Sequence, residues 1–216
     1  MIQIEVNYFS NLIAKESDPY IILSKIFQYL EGLFGWANFI DENYDKKLDF
    51  LLKSLDAPKL NFYPNHPKFK DKVCLAVPAN FAGKRLGTLF LVAKDYNFTK
   101  QNLEEAQWVT IIIINQLTYI ESQKIVNHKI AKNVISMLSY SELEASLYVF
   151  NNIKQTSTII LGKIADEYGF SRSVISNALK KIESSGAIET RSLGVKGTNI
   201  KIINEKLIEE LNKIRL

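Results

Sequence analysis

The stretch from Leu161 to Asn204 constrains the fold more than any other, because two helical patterns are separated there by a tight turn. In the first pattern, Ile164, Ala165 and Tyr168 recur at three- and four-residue spacing. Gly169 follows, and glycine readily adopts the left-handed conformation that ends a helix. The spacing therefore predicts a short helix that ends at a turn.

The second pattern predicts a longer helix with one apolar and one polar face. Ser171 is a natural N-cap, and the pattern stops at Gly186. The inner positions are apolar: Val174, Ile175, Ala178, Leu179 and Ile182. The outer positions carry groups able to reach bases and phosphates in a major groove: Arg172, Ser173, Ser176, Asn177, Lys180 and Lys181. Ser171 joins this candidate DNA-binding set. A polar second helix after a glycine turn is typical of a helix-turn-helix.

A wing is predicted directly after this helix. The apolar period becomes nearly alternating over 187–193 and 198–203, with Gly194 and Gly197 at the tip. The candidate DNA contacts on this wing are Arg191, Lys196, Thr198 and Lys201. Phosphate contacts at such positions would fix docking without reading sequence. The alternative is an ordinary solvated helix pair beside a hairpin.

Three segments of the C-terminal part resemble the DNA-binding domain of the CodY family of global transcription regulators. They are LSYSELEA at 138–145, KIADEYGFSRSVISNALKKIESSGAIETRSLGVKGT at 163–198, and the IKIIN that follows. The resemblance implies a winged helix that represses, and occasionally activates, metabolic genes in low-GC Gram-positive bacteria. It also implies a homodimer on partly palindromic double-stranded DNA. The family's DNA-reading helix falls on 171–181 and its wing on 191–201.

Composition and leader signals favour a cytoplasmic protein with no membrane contact. The longest aliphatic run, Ile111–Ile114, is far below the roughly 20 residues that a membrane span needs. The chain opens with no positively charged leader before an apolar stretch. Its single cysteine, Cys74, excludes an intrachain disulfide. The net charge of +4 permits nucleic-acid binding without demonstrating it.

The N-terminal half predicts an α+β sensor domain over residues 1–117. Residues 2–31 look helical, with Asp18-Pro19 starting a second helix that Gly32 closes. Four strands are predicted, the first two as a hairpin: Trp36–Ile40, Leu48–Leu52, Val73–Pro78 and Leu86–Val92. The last of these is expected to be buried on both faces. The proline-rich stretch from Asp56 to Lys72 is predicted to be a long loop.

The sequence from Val77 to Leu117 resembles the closing half of a GAF-type sensor domain, which the CodY family has in this position. The matching residues are Val77, Pro78, Gly83, Arg85, Leu86, Gly87, Thr88 and Leu89. The resemblance implies a cup for small molecules. The candidate ligand contacts are Phe62, Tyr63, Val77, Pro78, Phe81 and Arg85. In the alternative interpretation, Gly83 and Gly87 are simply hairpin glycines.

A single long helix is predicted from Lys100 to Met137, because this stretch contains neither proline nor glycine. The spacing of Asn102 and Glu105 indicates a capping box. At 1.5 Å per residue the helix would extend on the order of 50 Å, enough to separate two domains. We therefore expect a linker helix at 118–137 and a winged helix-turn-helix domain at 138–216, closed by a helix over 205–216.

Two interpretations of the long helix stay open, and both can hold. In one, its early part covers the sensor sheet and its late part packs on the DNA-binding domain. In the other, a dimer seam runs through Ile111 to Ile120, where more aliphatic surface is present than one sheet face needs.

The sequence contains few of the motifs that mark enzymes, so we expect neither catalysis nor a cofactor or metal. The sequence has no glycine-rich phosphate loop, no paired-cysteine zinc spacing and no nucleophile elbow. Cys74 with His66 or His128 could form a thiol and its base. However, Cys74 lies within the apolar strand VCLAV, where a buried, inert thiol is commoner. Both histidines are predicted to lie on the surface.

The effector is where this chain departs from the CodY pattern. The family senses branched-chain amino acids such as isoleucine, and many members also respond to GTP. Its amino-acid pocket uses an arginine on a helical segment, whereas residues 41–72 here contain lysines but no arginine. We therefore expect a regulator whose effector is altered or absent. The alternatives are a ligand-independent DNA-binding protein whose sensor serves only dimerisation, and a winged helix that binds other proteins.

Overall fold

The structure is a computed structural model that describes residues 2–93, 95–151, 153 and 155–214. Its contacts divide the chain into two compact units, Met1–Glu121 and Ser122–Leu216. The division falls inside the predicted linker, whose own limits at 118 and 137 stay a prediction. Helices and antiparallel sheets occur in both units, which confirms the α+β class.

The first unit is built on an antiparallel sheet of four strands in the order β1-β4-β3-β2. Its elements are α1 (Val6–Lys15), α2 (Pro19–Phe34), β1 (Gly35–Ile40), α3 (Lys46–Lys53), β2 (Lys59–Phe62), β3 (Val73–Phe81), β4 (Lys84–Ala93) and the first part of α4 (Lys100–Ser136). As predicted, β4 is buried on both faces. Leu89 and Leu91 enter a core with α1, α2 and α4, whereas Phe90 and Val92 enter a second core with α3.

The prediction of a strand at Leu48–Leu52 is wrong, because this segment is helix α3. The Asp45 side chain accepts hydrogen bonds from the backbone N–H groups of Lys47 and Leu48, both at 3.0 Å. This N-cap starts the helix, and the four-residue spacing of Leu48 and Leu52 buries both side chains. The predicted hairpin is therefore wrong as well, and β1 pairs with β4.

The predicted long loop contains a short edge strand, β2. Asn61 has a positive φ of 49°, and the register of β2 with β3 shifts between Lys59 and Phe62, which forms a bulge at this residue. The Asn61 side chain bonds the backbone N–H and C=O of Phe98 at 2.7 and 2.8 Å, which holds this bulge in place. Helix α2 also ends later than predicted, since Gly35 rather than Gly32 takes the left-handed cap at φ 97°.

Helix α4 begins at the predicted residue, but its capping box lies three residues earlier than predicted. The backbone N–H of Thr99 donates to Asn102 Oδ1 at 3.0 Å, and that of Asn102 donates to Thr99 Oγ1 at 3.1 Å. Glu105 is buried instead and accepts from the Ile4 N–H at 2.8 Å. Although α4 has 37 residues, neither it nor any other described helix combines the length and apolarity of a membrane span.

The second unit contains the predicted helix-turn-helix and wing. Its elements after α4 are α5 (Tyr140–Asn151), β5 (Thr156–Ile159), α6 (Leu161–Tyr168), α7 (Arg172–Ser184), β6 (Ile188–Ser192), a 3₁₀ turn (Gly194–Lys196), β7 (Thr198–Ile202) and α8 (Lys206–Leu211). Strand β5 was not predicted, and it extends the wing to three strands in the order β5-β7-β6. Helix α8 is shorter than predicted, and the last two residues of its predicted range lie outside the described residues.

Candidate nucleic-acid interface

The turn between α6 and α7 is formed by the residues that the sequence indicates. Gly169 adopts the left-handed conformation at φ 74° and caps α6. Ser171 then caps α7, because its Oγ accepts a hydrogen bond from the Val174 N–H at 3.3 Å. Phe170, between them, packs its ring 5.6 Å from that of Tyr148 on α5. Two local caps and one aromatic contact therefore fix where α7 begins.

One face of α7 is buried and anchors it to the rest of the unit. Four of the five predicted inner side chains are fully buried: Ile175, Ala178, Leu179 and Ile182. Ile175, Leu179 and Ile182 enter a core that also contains Val149 of α5 and Ala165 of α6. Because residues 3.6 apart share a helix face, burial of this stripe turns the intervening positions outward.

The outward face of α7 carries most of the predicted DNA-binding side chains. Arg172, Ser173, Asn177 and Lys180 are exposed, and Ser176 is half-buried. The Ser171 and Ser173 hydroxyls are hydrogen-bonded to each other at 2.8 Å. No hydrogen bond or ion pair with another described residue engages Arg172, Asn177 or Lys180. Their donors and acceptors are therefore available to a ligand at this face.

Lys181 departs from the prediction, because it has a partner within the protein. Its Nζ donates to Glu142 Oε2 at 2.7 Å and to the Met137 carbonyl at 3.2 Å. Glu142 also accepts from the Ser139 N–H at 2.7 Å, which completes the capping box that Ser139 forms at the start of α5. The hydrogen bond from Lys181, followed by that from Ser139, lowers the pKa of Glu142 below its ordinary value. Lys181 thus joins α7 to the start of α5, although its side chain stays 40% exposed.

The wing residues that were predicted to contact DNA differ in exposure and in their partners. Arg191, Lys196 and Lys201 are exposed, whereas Thr198 is half-buried between β5 and β6. Lys201 Nζ lies 3.5 Å from Glu189 Oε2, and both side chains are more than half exposed. An ion pair of this kind is weak and exchanges readily with solvent or phosphate. Lys196 sits in the 3₁₀ turn at the tip.

The wing tip is a closed turn that presents an apolar side chain which the sequence reasoning missed. The Leu193 N–H donates to the Gly197 carbonyl at 2.7 Å, and the Gly197 N–H donates to the Gly194 carbonyl at 3.1 Å. Val195, inside this turn, is 99% exposed. Its position between two glycines at a hairpin tip was the available sequence signal. The tip thus presents an exposed apolar side chain beside the charge of Lys196.

In the first unit, Arg85 does not fit its predicted role as a ligand-binding residue. Its Nε donates to the Gly87 carbonyl at 2.7 Å, and its Nη1 donates to the Leu55 carbonyl at 3.1 Å. Its Nη2 donates to the Leu52 carbonyl at 3.1 Å and to Thr88 Oγ1 at 2.8 Å. Burial lowers the pKa of Arg85. The guanidinium therefore caps the C-terminal end of α3, and four of its five donors bond groups within the protein.

The other predicted ligand residues are not brought together. Val77 is buried in the core beneath α2 and α4, whereas Phe62 packs against the core on the opposite sheet face. Tyr63 and Phe81 are exposed, and Pro78 is half-buried in β3. The single-pocket arrangement implied by the GAF resemblance is therefore not formed by these six residues.

The two predicted hairpin glycines have different roles. Gly83, at φ 75°, forms the β3–β4 turn together with Ala82 at φ 47°. Gly87 lies inside β4, where a Cβ atom would be 2.4 Å from the Phe39 ring and 2.7 Å from the Ile40 carbonyl oxygen. Gly83 is thus a hairpin glycine, and Gly87 is required for close packing of β4 against β1.

An open groove of about 520 Å³ lies beside α3 in the first unit. The residues that line it are Lys47, Phe50, Leu51, Asn65, His66, Pro67 and Lys70. His66 was predicted to lie on the surface, but it is only 9% exposed. The His66 ring stacks on Phe69, and its Nε2 lies 3.5 Å from Asp45 Oδ2. The groove therefore offers two lysines and apolar side chains, but no arginine.

Cys74 is buried in β3, as predicted, and burial raises its pKa to about 12. A thiol with such a pKa is protonated at neutral pH and is a poor nucleophile. Within the described residues, no three His, Cys, Asp or Glu side chains are grouped so that they could hold a metal ion.

The glycine turn, the wing and the outward face of α7 together define a winged helix-turn-helix protein. The family model for the CodY helix-turn-helix domain matches residues 158–215. The global transcriptional regulator CodY of Caldanaerobacter subterraneus subsp. tengcongensis is 36% identical over 197 residues, which cover 89% of this chain and 79% of that relative. CodY of Thermoanaerobacter sp. (strain X514) is 36% identical over 192 residues, covering 87% and 77%. CodY of Clostridium botulinum (strain Hall) is 42% identical over 167 residues, covering 70% and 65%. The chain belongs to the CodY family.

Proposed function

We propose that this chain is a DNA-binding global transcriptional regulator of the CodY type, acting mainly as a repressor. The observation that carries the proposal is the outward face of α7, where Arg172, Asn177 and Lys180 are exposed and available. Basic and amide side chains on one helix face suit the phosphates and base edges of a major groove. The relatives' shared name, global transcriptional regulator, supports the same function.

Salt dependence tests this function against its strongest alternative, a winged helix that binds proteins. If lysines and arginines neutralise phosphates, the logarithm of the DNA-binding constant will fall linearly with the logarithm of salt concentration. Fluorescence anisotropy with a random-sequence duplex measures that slope. Salt-insensitive association, or no association with duplex DNA, would favour the protein-binding alternative.

Lys196→Ala is expected to weaken binding to all duplexes equally. Lys196 lies at the wing tip, where a charge can neutralise a phosphate without contacting base edges. We expect the salt slope to decrease by about 1, measured by anisotropy on several unrelated duplexes. Lys84→Ala is a matched control, because Lys84 is also exposed beside a hairpin turn but belongs to the first unit. A change in sequence preference in Lys196→Ala would contradict the assignment to phosphate.

A homodimer would place two copies of α7 in successive major grooves, about one DNA turn apart. Within the predicted seam on α4, from Ile111 to Ile120, Ile113 and Ile120 are buried, whereas Ile111 is 49% exposed. Trp108, one turn before the predicted seam, is 61% exposed. Exposed large apolar side chains on one helix face favour a partner surface. We propose that a second copy of the chain covers them.

Ile111→Asp is therefore expected to convert the dimer into a monomer, because it buries a carboxylate in the proposed seam. Light scattering should give twice the 24.7 kDa chain mass for the unmodified protein and the single mass for the variant. Ile21→Asp on α2 is the matched control, at an isoleucine with 42% exposure. A dimer that survives Ile111→Asp would place the seam elsewhere.

We also propose that the effector site is altered or lost. Arg85 is the sole arginine before residue 172. Its guanidinium donates hydrogen bonds to two carbonyls at the end of α3, to the Gly87 carbonyl and to the Thr88 hydroxyl. The carboxylate of an amino acid would therefore have to compete with these groups for the guanidinium. The groove beside α3 offers only lysines as cations.

Isothermal titration calorimetry with isoleucine and with GTP tests this proposal. We expect no micromolar binding of either compound, and titration of the same preparation with duplex DNA confirms that the protein is active. Clear micromolar binding of either compound would overturn the proposal. If neither binds and the DNA affinity is high, the first unit serves dimerisation without a ligand.

A further inference from the structure

The side chain of Arg172, at the first position of α7, lies against Gly162 in the first turn of α6. A Cβ atom placed on Gly162 would be 2.7 Å from Arg172 Nη2, 2.9 Å from its Cζ and 3.1 Å from its Nε. Real Cβ atoms essentially never approach other heavy atoms below 3.0 Å. The guanidinium therefore occupies the space that any residue other than glycine would fill.

The backbone at this position does not require glycine. Gly162 lies within α6 and has none of the positive φ angles found at other glycines of the chain, such as Gly169 and Gly197. Within a helix, glycine is less favourable than alanine by up to about 1 kcal/mol. The three atoms nearest to the missing Cβ all belong to the Arg172 guanidinium. The clearest physical consequence of glycine here is therefore the room that it leaves for Arg172.

The contact with Gly162 leaves the hydrogen-bond donors of the guanidinium available. The three similar distances place the Cβ position over the flat face of the guanidinium, so the edge N–H groups can bond elsewhere. The first turns of α6 and α7 contain no acidic residue that could pair with Arg172. A long cationic side chain thus lies against the first turn of α6, at the edge of the candidate interface.

We infer that Gly162 is a positioning residue for DNA binding, acting through Arg172. The inference rests on the proposed DNA-binding function. Because Arg172 is held before the duplex arrives, less side-chain freedom is lost on binding. A Cβ at residue 162 displaces the guanidinium. The Arg172 side chain then loses more conformational freedom on binding, although its positive charge is kept.

Gly162→Ala is expected to weaken binding to a selected duplex by about three- to tenfold, the scale of immobilising one long side chain. The salt slope should stay unchanged, whereas Arg172→Ala should lower it by about 1. The thermal unfolding midpoint of Gly162→Ala should be equal to or above that of the unmodified protein, since alanine favours helices. Gly32→Ala is the matched control, because a Cβ on that helical glycine meets nothing within 4 Å.

A double-mutant cycle separates positioning from a structural effect. In the Arg172→Ala background, and in the Arg172→Lys background that keeps the charge without the flat face, adding Gly162→Ala should change affinity less than twofold. The inference is overturned if Gly162→Ala binds as the unmodified protein does, or if its loss persists in both backgrounds. If Arg172→Ala itself has no effect, or the unmodified protein does not bind duplex DNA, the inference fails together with the assignment of α7 to DNA.

Discussion

Gly197→Ala is expected to lower the free energy of unfolding of the second unit by about 2 to 3 kcal/mol, the upper part of the range for backbone strain. Gly197 has φ 106° and ψ −156°, a region essentially restricted to glycine. A Cβ there would also lie 2.2 Å from the Ile159 carbonyl oxygen in β5. The substitution therefore forces β5 away from the wing or changes the wing turn.

Chemical denaturation measures this loss with an internal reference. Trp36 and Trp108, the two tryptophans of the chain, belong to the first unit, so fluorescence reports that unit while circular dichroism reports both. Gly194→Ala is the matched control in the same turn: its φ is 63°, but a Cβ would meet nothing within 4 Å. We expect a loss of about 1 kcal/mol there. Equal losses for the two variants would contradict the proposed clash with β5.

Asn177→Ala should remove sequence discrimination at one base position, worth about 1 to 3 kcal/mol. Asn177 is exposed on the outward face of α7, and an amide can pair with two groups on one base edge. Binding to the preferred duplex should therefore weaken, while binding to random duplexes should change little. This pattern differs from the uniform loss expected for Lys196→Ala.

Competition binding against duplexes changed at single base pairs measures this effect. Asn133→Ala, at another exposed helical asparagine of the second unit, is the matched control and should leave the preference intact. Equal losses of affinity for preferred and random DNA in Asn177→Ala would show that the amide does not read a base.

The sequence predicted the elements whose signals are local. Gly169 and Ser171 mark the turn before α7, and the buried stripe from Ile175 to Ile182 sets the orientation of α7. This part of the site could therefore be predicted from the sequence of the turn and one helix. The misassigned helix α3 also had a local signal: Asp45, its N-cap, lies between the two segments that were predicted to form a hairpin. The apolar residues from Leu48 to Leu52 are compatible with either a strand or a helix, and the N-cap is the signal that favours the helix.

What the sequence did not predict depends on residues far apart in the chain. Strands β2 and β5 have four residues each and are defined by their pairing with β3 and β7. Lys181 was placed on the DNA face, but its partner, Glu142, lies 39 positions earlier. Arg85 similarly bonds carbonyls 30 and 33 positions away. No periodicity within one element can predict such partners.

Selection of bound duplexes from a random pool tests most directly whether the outward face of α7 reads DNA. The unmodified protein should enrich a partly palindromic sequence with half-sites about one helical turn apart. A variant with Arg172→Ala, Asn177→Ala and Lys180→Ala together should fold, as judged by circular dichroism, because these side chains are exposed, and should enrich no sequence. Enrichment of the same sequence by the triple variant would contradict this account.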